Sequence, residues 1–236
     1  MPSALKIAAI VPSAGSGKRL QSSVPKQFLK VNGKPILIHT LERLISAYPF
    51  TELVVALDPL RMGLGQRLLT QYRLHDRIRL VAGGKTRSES VLNALFSLRK
   101  ECNWVLVHDA ARPLVQKKDV RSLIDSAARF DGAILASPAT STIKKSDNRG
   151  QFVVSTLKRD EIFLAQTPQM FRKNLLQKRY KALGKKALQA TDEASLFDGT
   201  PAKIRLVEGS EMNFKITKKE DLGLYKFYLS TERKRS

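Results

Sequence analysis

Short, nearly continuous apolar runs alternate along this chain with longer stretches in which apolar residues recur every third or fourth position. The runs at 7–11, 52–57, 78–81, 104–107 and 132–137 predict buried strands, and the periodic stretches at 36–47, 63–73, 88–99 and 118–129 predict helices. Strands alternating with such helices imply a Rossmann-like α/β fold, a mostly parallel sheet with helices on both faces. The lack of polar alternation within the strands fits burial on both sides. In such sheets ligands bind outside the carboxyl ends of the strands. The turn with Gly15, the pair Gly83 and Gly84, and the pair His108 and Asp109 each follow a predicted strand directly. All are expected on one edge.

From Pro138 the rhythm changes. Segments 139–145 and 151–157 alternate only partly and flank the turn-forming run Ser146, Asp147, Asn148, Arg149 and Gly150. This predicts a protruding β-hairpin arm at about 138–160, too polar for the core. Its edges are open to pairing with another chain. With no repeat, low-complexity tract or linker, residues 1–236 read as one domain carrying that arm.

The first predicted strand runs into Pro12, Ser13, Ala14, Gly15, Ser16, Gly17, Lys18 and Arg19, and Pro25, Lys26, Gln27 and Phe28 follow soon after. Glycine at 15 and 17 lets backbone N–H groups close on an anion, and Arg19 and Lys26 bring positive charge. Two better-known phosphate loops do not fit. A P-loop requires glycine where Pro12 stands and Ser or Thr in place of Arg19, and the dinucleotide fingerprint requires Gly or Ala in place of Leu20. A nucleotide phosphate is expected here by a third route.

His108 and Asp109 lead into Ala110, Ala111, Arg112 and Pro113. An aspartate at a strand's carboxyl end, facing a phosphate loop, suits Mg²⁺, which takes one or two carboxylates beside phosphate and water oxygens. The same residue suits a helix N-cap, and the two roles are compatible. Arg112 offers a planar fork to a substrate phosphate or to Asp109. Residues Gly83 to Ser90 close a strand and open a helix whose N-terminus suits a ribose or base edge, although Ser88 and Ser90 are also ordinary capping residues. Segments 165–171 and 190–196 are polar islands with no evident packing purpose. In the strand-like run 207–217, Lys215 read alone is a snorkelling edge residue. His39, His75 and His108 lack metal-ligand spacing, and no histidine pairs with a serine or cysteine nucleophile. That suits a reaction in which the substrate's own phosphate attacks.

Charge sharpens the expected ligand class. The net charge of +21 favours nucleotides, phosphorylated substrates or nucleic acid. No ribonucleoprotein motif, zinc-finger spacing or basic zipper is present, so nucleic acid is not the expected ligand. No apolar run approaches the roughly 20 residues of a membrane span. The N-terminus lacks a signal-peptide pattern, and the chain reads as cytoplasmic. The single cysteine, Cys102, excludes an internal disulfide.

The spelling Ala14, Gly15, x, Gly17, x, Arg19, then Pro25, Lys26 and Gln27, resembles the signature loop of sugar- and polyol-phosphate nucleotidyltransferases. The later motifs stand in the order found in cytidylyltransferases of the 2-C-methyl-D-erythritol 4-phosphate type: Gly83 and Gly84, His108 through Pro113, Gln166 through Gln169, Thr191 through Ser195, and Asn213, Lys215 and Thr217. The resemblance runs from Val11 to about Tyr228. It implies attack by the methylerythritol phosphate on the α-phosphorus of CTP, with pyrophosphate released. By that resemblance Arg19 and Lys26 stabilise the transition state, and Arg159 and Lys215 belong to the catalytic set. Ala14, Gly15, Gly17, Gly84, Lys85 and Ser90 hold CTP, and Asp109 serves the nucleotide, its Mg²⁺ and the polar substrate. Arg112, Thr142, Arg159, Thr167, Thr191 and Lys215 surround the methylerythritol phosphate. In that family the arm crosses to a second subunit, which implies that Thr142 and Arg159 act in the neighbour's site and that the protein is a homodimer. The family often has alanine where Ser13 stands, and an aspartate where this chain has Met212, with Glu211 one residue earlier. Two alternatives stay open: a ribitol 5-phosphate cytidylyltransferase, which shares the loop and the Thr-Pro-Gln segment, and a nucleic-acid-binding protein using the basic surface.

Overall fold

The computed structural model describes residues 5–15, 24–99 and 101–233. Chain order is β1 (Ile7–Ser13), β2 (Lys30–Val31), β3 (Lys34–Pro35), α1 (Ile36–Ala47), β4 (Glu52–Leu57), α2 (Met62–Gln71), β5 (Arg79–Ala82), α3 (Arg87–Ser97), β6 (Trp104–Val107), α4 (Lys117–Ala127), β7 (Gly132–Pro138), β8 (Lys144–Ser146), β9 (Val153–Thr156), β10 (Phe163–Arg172), α5 (Lys173–Leu183), β11 (Ile204–Glu208) and α6 (Lys219–Arg233). β1 is apolar on both faces because it is covered on both. Ile7, Ala9 and Val11 pack with Leu37, Ile38 and Leu41 of α1, while Ala8 and Ile10 pack with Val91, Ala94 and Leu95 of α3. Burying one such Ile or Leu side chain stabilises the fold by about 1.5–3 kcal/mol. Among the described residues no helix is long and apolar enough to cross a membrane.

The main sheet has the order β11-β7-β10-β6-β1-β4-β5. β1 pairs in parallel with β4 and β6, β4 with β5, and β7 with β11, whereas β10 runs antiparallel between β6 and β7. The chain first builds outward from β1 to β4 and β5, with α1 and α2 on one face. It then crosses by α3, on the opposite face, to β6 on the other side of β1. The carboxyl ends of β1 and β6 therefore flank a topological switch point, where ligands of open α/β sheets bind. This juxtaposition places Ser13 to Gly15 opposite Asp109.

The predicted strands and helices up to β7 are present, with shifts of one or two residues at several ends. Sequence patterning did not resolve β10. The register shifts between Ala165 and Gln169, where Gln166, Thr167 and Pro168 break the alternation. The run 207–217 is corrected: β11 ends at Glu208, and 209–217 is irregular. Lys215 thus lies on a loop, and Glu211 and Met212 form a turn. The arm exists as β8 paired with β9, shorter than expected, with Phe152, Val153 and Val154 exposed.

A third, small apolar cluster sits beneath the site. Val31, Ile36, Ala111, Leu114, Ile216 and Tyr225 are buried together. They tie β2, α1, the loop after Asp109, the segment carrying Lys215 and the terminal helix α6 into one support.

Candidate active site

The turn after β1 is held from behind. Gln27 is buried, and its side-chain amide donates to the carbonyls of Ser13 (2.7 Å) and Gly15 (3.0 Å). That leaves the backbone of Ala14 and Gly15 on the cavity wall. Beside Gln27, Lys26 Nζ donates to the Ile216 carbonyl at 3.0 Å. Gly17 and Arg19 lie outside the described residues.

The opposite wall is the start of α3. Thr86 caps the helix by accepting from Glu89 N–H (3.0 Å), and the Glu89 carboxylate reaches back past the cap to accept from Lys85 N–H (2.6 Å). Ser90 Oγ accepts from Gly84 N–H (3.1 Å) and donates to the Thr86 carbonyl (2.9 Å). Ser90 therefore fixes the shape of the glycine turn while lining the cavity. At Gly83 a Cβ atom would lie 2.6 Å from Ala14 Cβ, so only glycine lets the two walls approach so closely.

The centre of the site is an ion cluster. Asp109 follows β6 and is buried. Its Oδ1 accepts from Arg87 Nε (2.8 Å), and its Oδ2 takes Lys215 Nζ (2.7 Å), with Arg112 Nε at 3.7 Å. The rest of the Arg87 fork grips Glu193: NH1 to Oε1 at 2.8 Å and NH2 to Oε2 at 2.9 Å. Burial pushes the Asp109 carboxyl up, but Arg87, Lys215 and Arg112 together outweigh it and hold the group well below the usual carboxylate range. Burial likewise opposes charge on Arg87, and Glu193 and Asp109 overcome it. Stripped of its cations, a carboxylate in this position would cost several kcal/mol.

Behind the cluster, hydrogen bonds fix three loops to one another. Asp109 N–H donates to Thr167 Oγ1 (3.0 Å), which lies 3.1 Å from His108 Nδ1, and His108 Nε2 lies 3.1 Å from the Arg112 carbonyl. Because a carbonyl only accepts, His108 carries its proton on Nε2 and accepts the Thr167 hydroxyl on Nδ1. Arg112 NH1 donates to the Asn213 carbonyl (2.7 Å), and Asn213 Nδ2 donates to Gln166 Oε1 and the Thr167 carbonyl. Gln169 Nε2 donates to Asp192 Oδ2 at 2.8 Å, and Ala194 N–H returns a bond to Gln169 Oε1. The polar islands of the sequence are thus mutual braces.

A cavity of about 570 Å³ opens over these groups. Of the residues expected at the site, Ala14, Gly15, Lys26, Gly84, Lys85, Ser90, Asp109, Thr191 and Lys215 line it. Arg112 and Thr167 stand one layer back, on the partners just given. Thr142 and Arg159 are exposed on and beside the arm and do not line this cavity; Arg159 NH1 donates to the Thr140 carbonyl. Sequence reasoning overlooked Arg87, read only as part of a helix start, and the bracing role of Gln27. Among the described cavity-lining residues Asp109 is the one carboxylate. It fits Mg²⁺ as a single acidic ligand beside phosphate and water oxygens, provided Lys215 or Arg87 yields the oxygen it occupies.

An open α/β sheet that gathers a glycine turn, three lysines and an ion-paired carboxylate at its switch point suits the phosphates of a nucleotide, and the family match makes the chain an enzyme of the nucleotidyltransferase class. Residues 7–231 match the family model for IspD, 2-C-methyl-D-erythritol 4-phosphate cytidylyltransferase. The enzyme of that name from Vibrio vulnificus strain YJ016 is 41% identical over 236 residues, covering 97% of each chain. The crystal structure of the Francisella tularensis enzyme superposes with a TM-score of 0.79 at 37% identity, covering 94% of this chain and 99% of that one. The 4-diphosphocytidyl-2C-methyl-D-erythritol synthase of Anaerococcus prevotii gives 0.83 at 28% identity, covering 96% and 99%. The chain belongs to the 2-C-methyl-D-erythritol 4-phosphate cytidylyltransferase family.

The brace around His108 makes a testable contribution to stability. Burial pushes this imidazole down to about 4, against an ordinary 6.5. Below 6.5 the unfolded chain binds a proton that the native ring refuses, so native stability falls as the pH drops from about 6.5 to about 4. The loss from this group is about 3 kcal/mol across that window, and nothing is lost above it. His39 is also pushed down by burial, so the comparison must isolate His108. Urea unfolding of the wild type and His108→Gln at several pH values does so: the variant loses less stability on acidification. Parallel pH curves would contradict the assignment.

Proposed function

We propose that this chain joins CTP to 2-C-methyl-D-erythritol 4-phosphate, giving 4-diphosphocytidyl-2-C-methyl-D-erythritol and pyrophosphate. The observation that carries this reading is family membership across residues 7–231 together with a cavity whose charged groups include Lys26, Lys215 and the ion-paired Asp109. An oxygen of the acceptor phosphate attacks the α-phosphorus of CTP. The new O–P bond forms as the bond to the β-phosphate bridge breaks, and the electron pair leaves on pyrophosphate. A phosphate monoester is largely dianionic at neutral pH, its second pKa being about 6, so no protein base is needed to make the nucleophile. What the protein supplies is position and positive charge.

In this mechanism Lys26 meets the charge that builds on the phosphoryl oxygens, and the family resemblance assigns Arg19 the same task. Ala14, Gly15, Gly84, Lys85 and Ser90 line the CTP side. Lys215, Asp109 and Thr191 form the acceptor side, with Arg112 and Thr167 bracing them. Asp109 is the protein group that would hold a Mg²⁺ ion, which would offset charge on the triphosphate. Dimerisation through the arm belongs to the same reading. It is supported by the exposed apolar residues Phe152, Val153 and Val154, with Phe163 and Leu164 at its base. Thr142 and Arg159 then complete the partner's cavity. A cytoplasmic location is part of the proposal.

Pyrophosphate release, assayed with CTP, Mg²⁺ and either methylerythritol phosphate or ribitol 5-phosphate, tests the reaction. Turnover is expected with the first acceptor, and Lys26→Ala should lower kcat by roughly a hundredfold, about 3 kcal/mol of transition-state stabilisation. Preference for ribitol 5-phosphate, or near-normal turnover by a folded Lys26→Ala, would overturn the assignment.

The shared site has its own test. An Arg159→Ala subunit mixed with a Lys26→Ala subunit yields a heterodimer with one doubly damaged site and one intact site. Activity should partly recover. No recovery, with subunit exchange verified, means that Arg159 serves its own chain.

A further inference from the structure

Arg87 is the one side chain that joins the two carboxylates of the ion cluster. Its Nε meets Asp109 Oδ1 at 2.8 Å, and its two terminal nitrogens meet the two oxygens of Glu193. The two carboxylates differ in setting. Glu193 is fully buried, is not among the cavity-lining residues, and has the Tyr180 hydroxyl 3.4 Å from its Oε1. Asp109 faces the cavity and holds Lys215 on its other oxygen. The result is a linear relay from a fixed buried anchor to a cavity cation: Glu193, Arg87, Asp109, Lys215.

Each link limits the next. With Oδ1 held by Arg87, Lys215 sits on Oδ2, beside Arg112 Nε at 3.7 Å, and is directed to one position on the acceptor side. Were Oδ1 released, Asp109 could turn about its side chain or take the ammonium between both oxygens, drawing Lys215 off the cavity wall. Arginine is the residue the relay needs. A planar fork can grip both oxygens of one carboxylate while its Nε serves a second, and a lysine, as a point charge, cannot. Arg87 also borders the cavity, but each of its three nitrogens is bonded to a carboxylate, and Glu193, which does not border it, separates positioning from direct contact.

On the cytidylyltransferase reading above, we propose that Arg87, anchored by Glu193, is a positioning residue that acts through Asp109 to set Lys215 for the acceptor polyol phosphate. Glu193 gives the cleanest probe, because it cannot touch a substrate from its buried position. Glu193→Gln keeps the shape and replaces a charged grip on Arg87 with a neutral one. Arg87→Lys keeps the charge and removes the fork. Steady-state kinetics with CTP and methylerythritol phosphate, on variants whose thermal unfolding confirms a folded state, separate the roles.

Both variants should raise KM for the polyol phosphate, by about tenfold for Arg87→Lys and somewhat less for Glu193→Gln, lower kcat, and raise KM for CTP, whose Mg²⁺ Asp109 would meet, by a clearly smaller factor. Placed in a Lys215→Ala background, either change should cost little more, because its effect runs through that lysine. An unchanged polyol-phosphate KM, an equal rise in both KM values, or full additivity with Lys215→Ala would overturn the inference. Should Arg87→Lys fail to fold, Glu193→Gln decides alone. If wild-type protein turns over these substrates and the variants match it, only the relay falls. If wild type does not turn them over, the underlying reading falls and the relay with it.

Discussion

A carboxylate buried at the end of a central strand must be surrounded by positive charge, and this requirement organises the site. Asp109 sits at the carboxyl ends of the paired strands β1 and β6, held by Arg87, Lys215 and Arg112. Each cation comes from a different part of the chain: the start of α3, the loop after β11 and the turn after β6. The desolvation cost of an ion here is several kcal/mol unless its partners are in place. Satisfying Asp109 therefore fixes three segments relative to one another. The small apolar cluster around Tyr225 and Ile216 supports the same arrangement from below.

The chemistry follows from that frame. The described cavity-lining residues include no histidine or cysteine, and their charged groups are predominantly cationic. Such a surface suits the transfer of a nucleotidyl group between anionic substrates better than covalent catalysis by the protein. The nearby histidine, His108, is kept neutral by burial and is used as a hydrogen-bonded strut. Thr167 and Ser90 are similar cases, in which hydroxyls that look ready for a substrate are committed to holding loops.

Much of the fold was legible because buried parallel strands carry near-continuous apolar runs. The ends predicted for α1, β4 and β6 coincide with those observed. β10 was not legible, since Gln166, Thr167 and Pro168 interrupt it to reach the site. Nor was the irregular course of 209–217, where Phe214, Ile216 and the neighbouring polar residues imitate a strand. Local spelling placed Ala14, Gly15, Lys26 and Asp109 at the cavity. It could not expose Arg87 or Glu193, because their meaning lies in a contact between residues far apart in sequence. A capping sequence such as Thr86 to Glu89 hides an arginine that turns inward.

The claim on which the structure most depends is that Asp109 stays ionised inside this cluster. Carbon-detected NMR of its side-chain carboxyl, followed as the pH is lowered, reads that state directly. At pH 3.8, where an ordinary aspartate is half protonated, the Asp109 signal should still be that of the carboxylate it shows at neutral pH. A midpoint at 3.8 or above would contradict the account, because the three cations would then not be holding the group they surround.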